Sequence, residues 1–109
     1  MDIQFLYFED CPSHDQALER LRGVLAEEGV ADEVAVIRVE TDEQARQWRF
    51  TGSPTIRIDG ADIQPPPDPQ YRLACRIYRL EDGRISPLPS PDMIRQAVRQ
   101  ARAGGQERP

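Results

Sequence analysis

The segment Ile3-Gln4-Phe5-Leu6-Tyr7-Phe8 is rich in β-forming residues and apolar on both alternating faces, so a strand built from it must be covered from two sides. That requirement disfavours a sheet with one wet face and asks for helices above and below. The segment stops at Glu9-Asp10, and Cys11-Pro12-Ser13-His14 leads into a new pattern. Pro12 suits a first helical position, and Ala17, Leu18, Leu21, Val24 and Leu25 then recur with helical period until Gly29 offers a stop. A strand therefore delivers a cysteine to a helix N-terminus.

The rest of the chain continues in short, well-punctuated elements. Val34 to Val39 is a β-branched strand, and Thr41-Asp42-Glu43-Gln44 reads as a capping box opening a short helix with Ala45 and Trp48 turned inward and Gly52 at its end. Thr55-Ile56-Arg57-Ile58-Asp59 alternates at period two and turns at Gly60. Pro65-Pro66-Pro67-Asp68-Pro69 fits neither a helix nor a central strand, which makes it an irregular connector. Leu73 to Leu80 reads as the fourth strand and Glu81-Asp82-Gly83-Arg84 as a turn. Ser90-Pro91-Asp92 then caps a last helix carrying Ile94, Ala97, Val98 and Ala101. Gly104-Gly105 is expected to end the fold, giving one domain over 1–103 and a tail over 104–109.

A net charge of -5 with no lysine and no basic cluster argues against nucleic acid as a partner. No run of about 18 apolar residues is present for a membrane span, and no basic, apolar leader pattern opens the chain, so a cytoplasmic location is expected. Cys11 and Cys75 lie far apart in sequence, without zinc-ribbon spacing or a disulfide framework, so both are expected as thiols in a reducing compartment.

Cys11 is the residue on which chemistry would turn. A helix N-terminus stabilises a thiolate, as would a protonated His14, whereas Glu9, Asp10 and Asp15 oppose it, and the sequence does not set the sign of the sum. An unreactive cysteine at the cap is the alternative. His14, three residues on, would share a helix face with Cys11, or would be a solvated histidine with no chemical role.

The strand, the cysteine after it and the Ser53-Pro54-Thr55 before the third strand together resemble the thioredoxin superfamily in its small, glutaredoxin-sized form, over almost the whole chain. The resemblance implies an α/β fold of order β-α-β-α-β-β-α, with a mixed four-stranded sheet and helices on both faces. It implies a cis Ser53-Pro54 bond beside Cys11, with the backbone before Pro54 free to pair with an extended substrate. It also implies that Cys11 attacks a protein or small-molecule disulfide, next to a substrate-binding edge made by Pro12, Ser13, Ser53, Pro54 and Thr55. His14 stands where a dithiol motif has its second cysteine. Release of a mixed disulfide would then fall to a reducing thiol, a partner protein or Cys75.

Cys75 is expected to be remote. With the last two strands antiparallel, it would lie roughly 15 Å down the sheet at about 3.3 Å per residue, beyond the Cα separation of about 7 Å that a disulfide allows. It reads as a core cysteine, and Arg57 and Arg76 as solvated arginines on an outer face. The expected function is monothiol thiol-disulfide exchange at Cys11, needing no cofactor and no metal. The alternatives are a thioredoxin-fold binding module without turnover, or capture of a soft metal or metalloid by Cys11, His14 and Cys75.

Overall fold

In the computed structural model, which describes residues 1–107 and side chains through Ala103, Phe5 and Leu6 are both fully buried although they are chain neighbours. Consecutive strand residues point to opposite faces, so the first strand is covered on both sides, as its composition requires. The element order is β1 (Ile3–Tyr7), α1 (His14–Glu27), β2 (Val34–Arg38), α2 (Asp42–Trp48), β3 (Thr55–Ile58), β4 (Ala61–Asp62), β5 (Tyr78–Arg79), β6 (Ile85–Ser86) and α3 (Pro91–Glu107). The result is an α/β architecture with a mixed four-stranded sheet, strand order β2-β1-β3-β4, and a separate two-stranded ribbon, β5-β6.

β1 is the central strand. It pairs in parallel with β2 from Ile3 opposite Val34 to Tyr7 opposite Arg38, and antiparallel with β3 from Ile3 opposite Ile58 to Leu6 opposite Thr55. One core layer joins Phe5, Ile56 and Ile58 to Leu21, Val24 and Leu25 of α1 and Ile94 and Val98 of α3. The other joins Leu6 to Val39, Ala45 and Phe50, under α2. Each fully buried aliphatic or aromatic side chain in these layers contributes roughly 1.5–3 kcal/mol relative to exposure. Arg95 and Arg99 of α3 pair with Glu27, the last residue of α1, and Glu28, its C-cap, at 2.8 Å each, closing the first layer at its rim.

Helix boundaries follow local chemistry, with some departures from expectation. α1 opens at His14, not Pro12, with Ser13 as its N-cap, so Cys11 precedes the helix in a turn whose Cys11 N-H donates to Phe8 O at 3.0 Å. Its end is a Schellman closure: Gly29, at φ 70°, donates to Ala26 O, and Val30 donates to Leu25 O. Thr41 caps α2 by accepting from the Gln44 N-H, while Gln44 reaches back to the Glu40 N-H, one residue earlier than in the usual box. α2 ends at Arg49, which takes the left-handed conformation at φ 53°, and not at Gly52. Trp48 is 39% exposed rather than inward, because a helix of this length presents Ala45 to the core and the next apolar position filled is Phe50, beyond the cap.

The larger correction concerns the fourth strand. Asp59 and Gly60 both have positive φ, 52° and 84°, the geometry of a two-residue hairpin, and they return the chain at once into β4. The expected strand from Leu73 to Leu80 does not form as one piece. Only Tyr78–Arg79 is ladder-paired, with β6, around the Leu80-to-Arg84 turn, in which the Leu80 N-H donates to Arg84 O at 2.7 Å. The segment before it folds back along the sheet's end instead of down its edge. α3 continues through Gly104-Gly105 to Glu107, and Arg108 and Pro109 of the expected tail lie outside the described residues. No helix among the described residues is long and apolar enough to cross a membrane.

Candidate functional site

The Ser53-Pro54 peptide bond is cis, and both polar groups of the Ser53 backbone are already occupied by the chain itself. Its N-H donates to Ala74 O at 2.7 Å, and its carbonyl accepts from the Arg76 N-H at 3.1 Å, which puts Ser53 and Cys75 opposite one another as a parallel bridge. The same Ser53 carbonyl accepts from the Cys11 thiol at 3.5 Å. Cys11 and Cys75 therefore meet on one residue. This overturns the expectation that Cys75 is remote and in the core: it is exposed, and it stands in register with the residue whose carbonyl the Cys11 thiol contacts. It overturns equally the expectation that the backbone before Pro54 stands free for a substrate.

The segment Ala74–Arg76 is held in place by side-chain contacts, chief among them those of Arg76, which was expected to be solvated. Arg76 is buried, and its guanidinium reaches Asp62 of β4 at 2.8 Å, the Gln64 carbonyl at 2.6 Å, and the Thr51 and Thr55 hydroxyls at 3.4 and 3.5 Å. The same group lies 4.3 Å over the Tyr78 ring. Tyr78 is buried in turn, which pushes its phenol well above the ordinary range and keeps it a donor, here to Pro54 O at 2.5 Å. Gly52 makes the approach sterically feasible. A Cβ there would stand 2.8 Å from Arg76 Cβ and 3.1 Å from Arg76 N, and its φ of 126° is one that side-chain-bearing residues avoid.

The two thiols differ in setting. Cys11 is 1% exposed, whereas Cys75 is exposed. The Cys75 pKa is pushed up from 9.0 to about 11, first by the hydrogen bond with Cys11, then by burial and by the charge Cys11 can carry. A groove of about 700 Å³ opens beside Cys75, lined among others by Pro65, Pro66, Pro67, Ile77 and Ile85. Ser53 contributes one further feature, a buried hydroxyl with no hydrogen-bond partner.

Other expected members of the site are placed apart from this pair. The His14 ring stacks on Tyr7 at 4.7 Å between centroids, and its Nδ1 lies 3.2 Å from Asp15; the described hydrogen bonds include none between His14 and Cys11. With α1 opening at His14, the two residues do not share a helical face. Pro12 is exposed, Ser13 is half-buried at the N-cap without a side-chain capping bond, and the buried Thr55 hydroxyl donates to Gly52 O at 2.5 Å. Glu9, one of the acidic neighbours of Cys11, is paired with Arg38, which also contacts Glu40 at 3.2 Å. Among the described residues no group of three or more His, Cys, Asp or Glu side chains is placed to hold a metal ion.

Cys75 and Arg76 are what sequence reasoning misplaced. The signal for β4 was present in Asp59-Gly60, and placing the fourth strand there frees the later segment to return to the cysteine end. Comparison with protein-family models, with curated proteins and with solved structures finds no match.

Proposed function

We propose that this chain is a thioredoxin-like thiol-disulfide oxidoreductase whose chemistry is carried by Cys11. The observation that carries the reading is the Cys11 thiol set 3.5 Å from the Ser53 carbonyl, immediately before Pro54, with Cys75 in register with the same Ser53. In this reading the Cys11 thiolate attacks one sulfur of a protein or small-molecule disulfide, a Cys11-substrate disulfide forms, and the other substrate sulfur leaves as a thiol. Cys11 is covered at rest. The exposed Cys75 stands opposite Ser53 and lines the groove, so a disulfide would approach Cys11 from this side. A reducing compartment such as the cytoplasm would keep both thiols available between reactions. The β-α-β start, the antiparallel return of β3 and the closing helix α3 support the thioredoxin-like assignment.

One observation favours a second reading. Cys11 at 1% exposure, with the Ser53 backbone already paired, suits a thioredoxin-fold module that binds partners without turnover. Soft-metal capture is less well supported, because Cys11, His14 and Cys75 are not gathered into one ligand set. The readings separate on covalent trapping. Cys75→Ser exposed to bis(2-hydroxyethyl) disulfide at neutral pH is expected to accumulate a mercaptoethanol adduct on Cys11, located by peptide mass spectrometry. A Cys11 that stays unmodified while the folded protein is incubated to completion selects the binding module.

A further inference from the structure

We infer that Ala74–Arg76 is a built-in partner strand seated where an extended substrate would pair with Ser53, and that Cys75 on this strand resolves the Cys11 mixed disulfide by closing a Cys11–Cys75 disulfide. The inference rests on the thiol-exchange reading for its place in turnover. Its geometry stands on separate observations: the parallel Ser53–Cys75 bridge, both Ser53 backbone groups bonded to this strand, and the Cys11 thiol on the same carbonyl. Neighbouring strands run about 4.8 Å apart. The Cys11 thiol and the Arg76 N-H converge on the one Ser53 carbonyl, at 3.5 and 3.1 Å, which brings Cys11 to the part of the strand that carries Cys75.

The strand is held there by specific contacts. Arg76 is tied to Asp62 and to the Gln64 carbonyl, Tyr78 to the Pro54 carbonyl, and Gly52 alone leaves room for the approach. With Ala74 O accepting from the Ser53 N-H on the other side of Cys75, its position is set by residues that take no part in sulfur chemistry.

The electron balance closes within two exchanges. Cys11 as thiolate displaces one substrate thiol and becomes bonded to the other substrate sulfur. Cys75 then attacks the Cys11 sulfur, the remaining substrate sulfur leaves as a thiol, and the protein dithiol has lost two electrons and two protons to the two product thiols. The Cys75 pKa is raised chiefly by Cys11, and a Cys11 bonded to substrate no longer carries the charge that contributes to that rise. A reducing thiol then reopens the protein disulfide.

The test is intact-mass and peptide analysis of the full chain after treatment with bis(2-hydroxyethyl) disulfide at neutral pH. Wild type is expected to become lighter by two hydrogen atoms as a monomer, with one peptide pair joined through Cys11 and Cys75. Cys75→Ser is expected to stop at the Cys11 adduct. Gly52→Ala, which forces the strand away from Ser53, is expected to shift the wild-type product from the internal disulfide toward mercaptoethanol adducts. Wild type carrying adducts on both cysteines, or a Cys11 adduct beside a free Cys75, overturns the inference and leaves Cys11 exchange intact. An internal disulfide that forms without any thiol-dependent turnover retains the couple and removes the oxidoreductase reading.

Discussion

Cys75 lies in register with Ser53, whose carbonyl accepts from both the Cys11 thiol and the Arg76 N-H, so two cysteines distant in sequence are brought to a single residue. The partner strand's own contacts determine how its chemistry responds to substitution.

The pH dependence of Cys75 is set chiefly by Cys11. Its pKa, raised to about 11, reflects first a hydrogen bond and then burial and charge, and two of these three causes belong to Cys11. Cys11→Ala removes both and lowers the Cys75 value toward the ordinary thiol range. Because alkylation follows the thiolate fraction, iodoacetamide at pH 8 is expected to modify Cys75 roughly 10- to 100-fold faster in Cys11→Ala than in wild type. Equal rates in the two proteins would mean that the thiols do not interact.

Arg76 is the main clasp of the strand. Replacing it with Met leaves Asp62 without its ion partner and the Gln64 carbonyl without its donor, and loss of one member of such a buried pair costs about 3 kcal/mol. Urea unfolding monitored by circular dichroism is expected to show this as a lowered midpoint. Arg76→Lys is expected to recover only part of it, since a single ammonium cannot reach Asp62, Gln64 and the Tyr78 face together.

Gly52→Ala tests the close approach itself. The strain of φ 126° and the 2.8 Å contact with Arg76 Cβ predict a loss of about 1–3 kcal/mol, read in the same unfolding experiment. An unchanged midpoint would show that the strand moves away at no cost and is not fixed at Ser53.

The legible parts of this fold were those set by local pattern. The two-faced burial of β1, the periodic apolar stripes of α1 and α3 and the capping of α2 by Thr41 all follow from neighbours in sequence. Trp48 was misread because a seven-residue helix gives too little periodicity to orient its last residue, and Arg49 ends it with no glycine to mark the place. The return of Cys75 to Cys11 depends on Arg76 finding Asp62 and on Gly52 admitting the Arg76 backbone. Those are long-range pairings between residues that look, in sequence, like solvated charge and a helix stop. The nearness of Cys11 to Ser53 was therefore readable, and the placement of Cys75 beside Ser53 was not.

His14 distinguishes a chemical from a packing role. Its ring stacks on Tyr7 and its Nδ1 faces Asp15, so His14→Ala is expected to leave the rate of Cys11 adduct formation in the Cys75→Ser background unchanged within about twofold, against the loss of about 100-fold or more that removal of an acid-base group produces. Pseudo-first-order adduct kinetics followed by mass spectrometry measure the difference.

Turnover under limiting and excess thiol tests the central claim most directly. Reduction of bis(2-hydroxyethyl) disulfide by glutathione is measured with wild type, Cys11→Ser and Cys75→Ser. The account predicts catalysis by wild type above the uncatalysed exchange and none by Cys11→Ser. It predicts that Cys75→Ser is slow at limiting glutathione and recovers as excess thiol takes over release of the Cys11 mixed disulfide. A wild-type rate equal to the uncatalysed reaction at every glutathione concentration would contradict it.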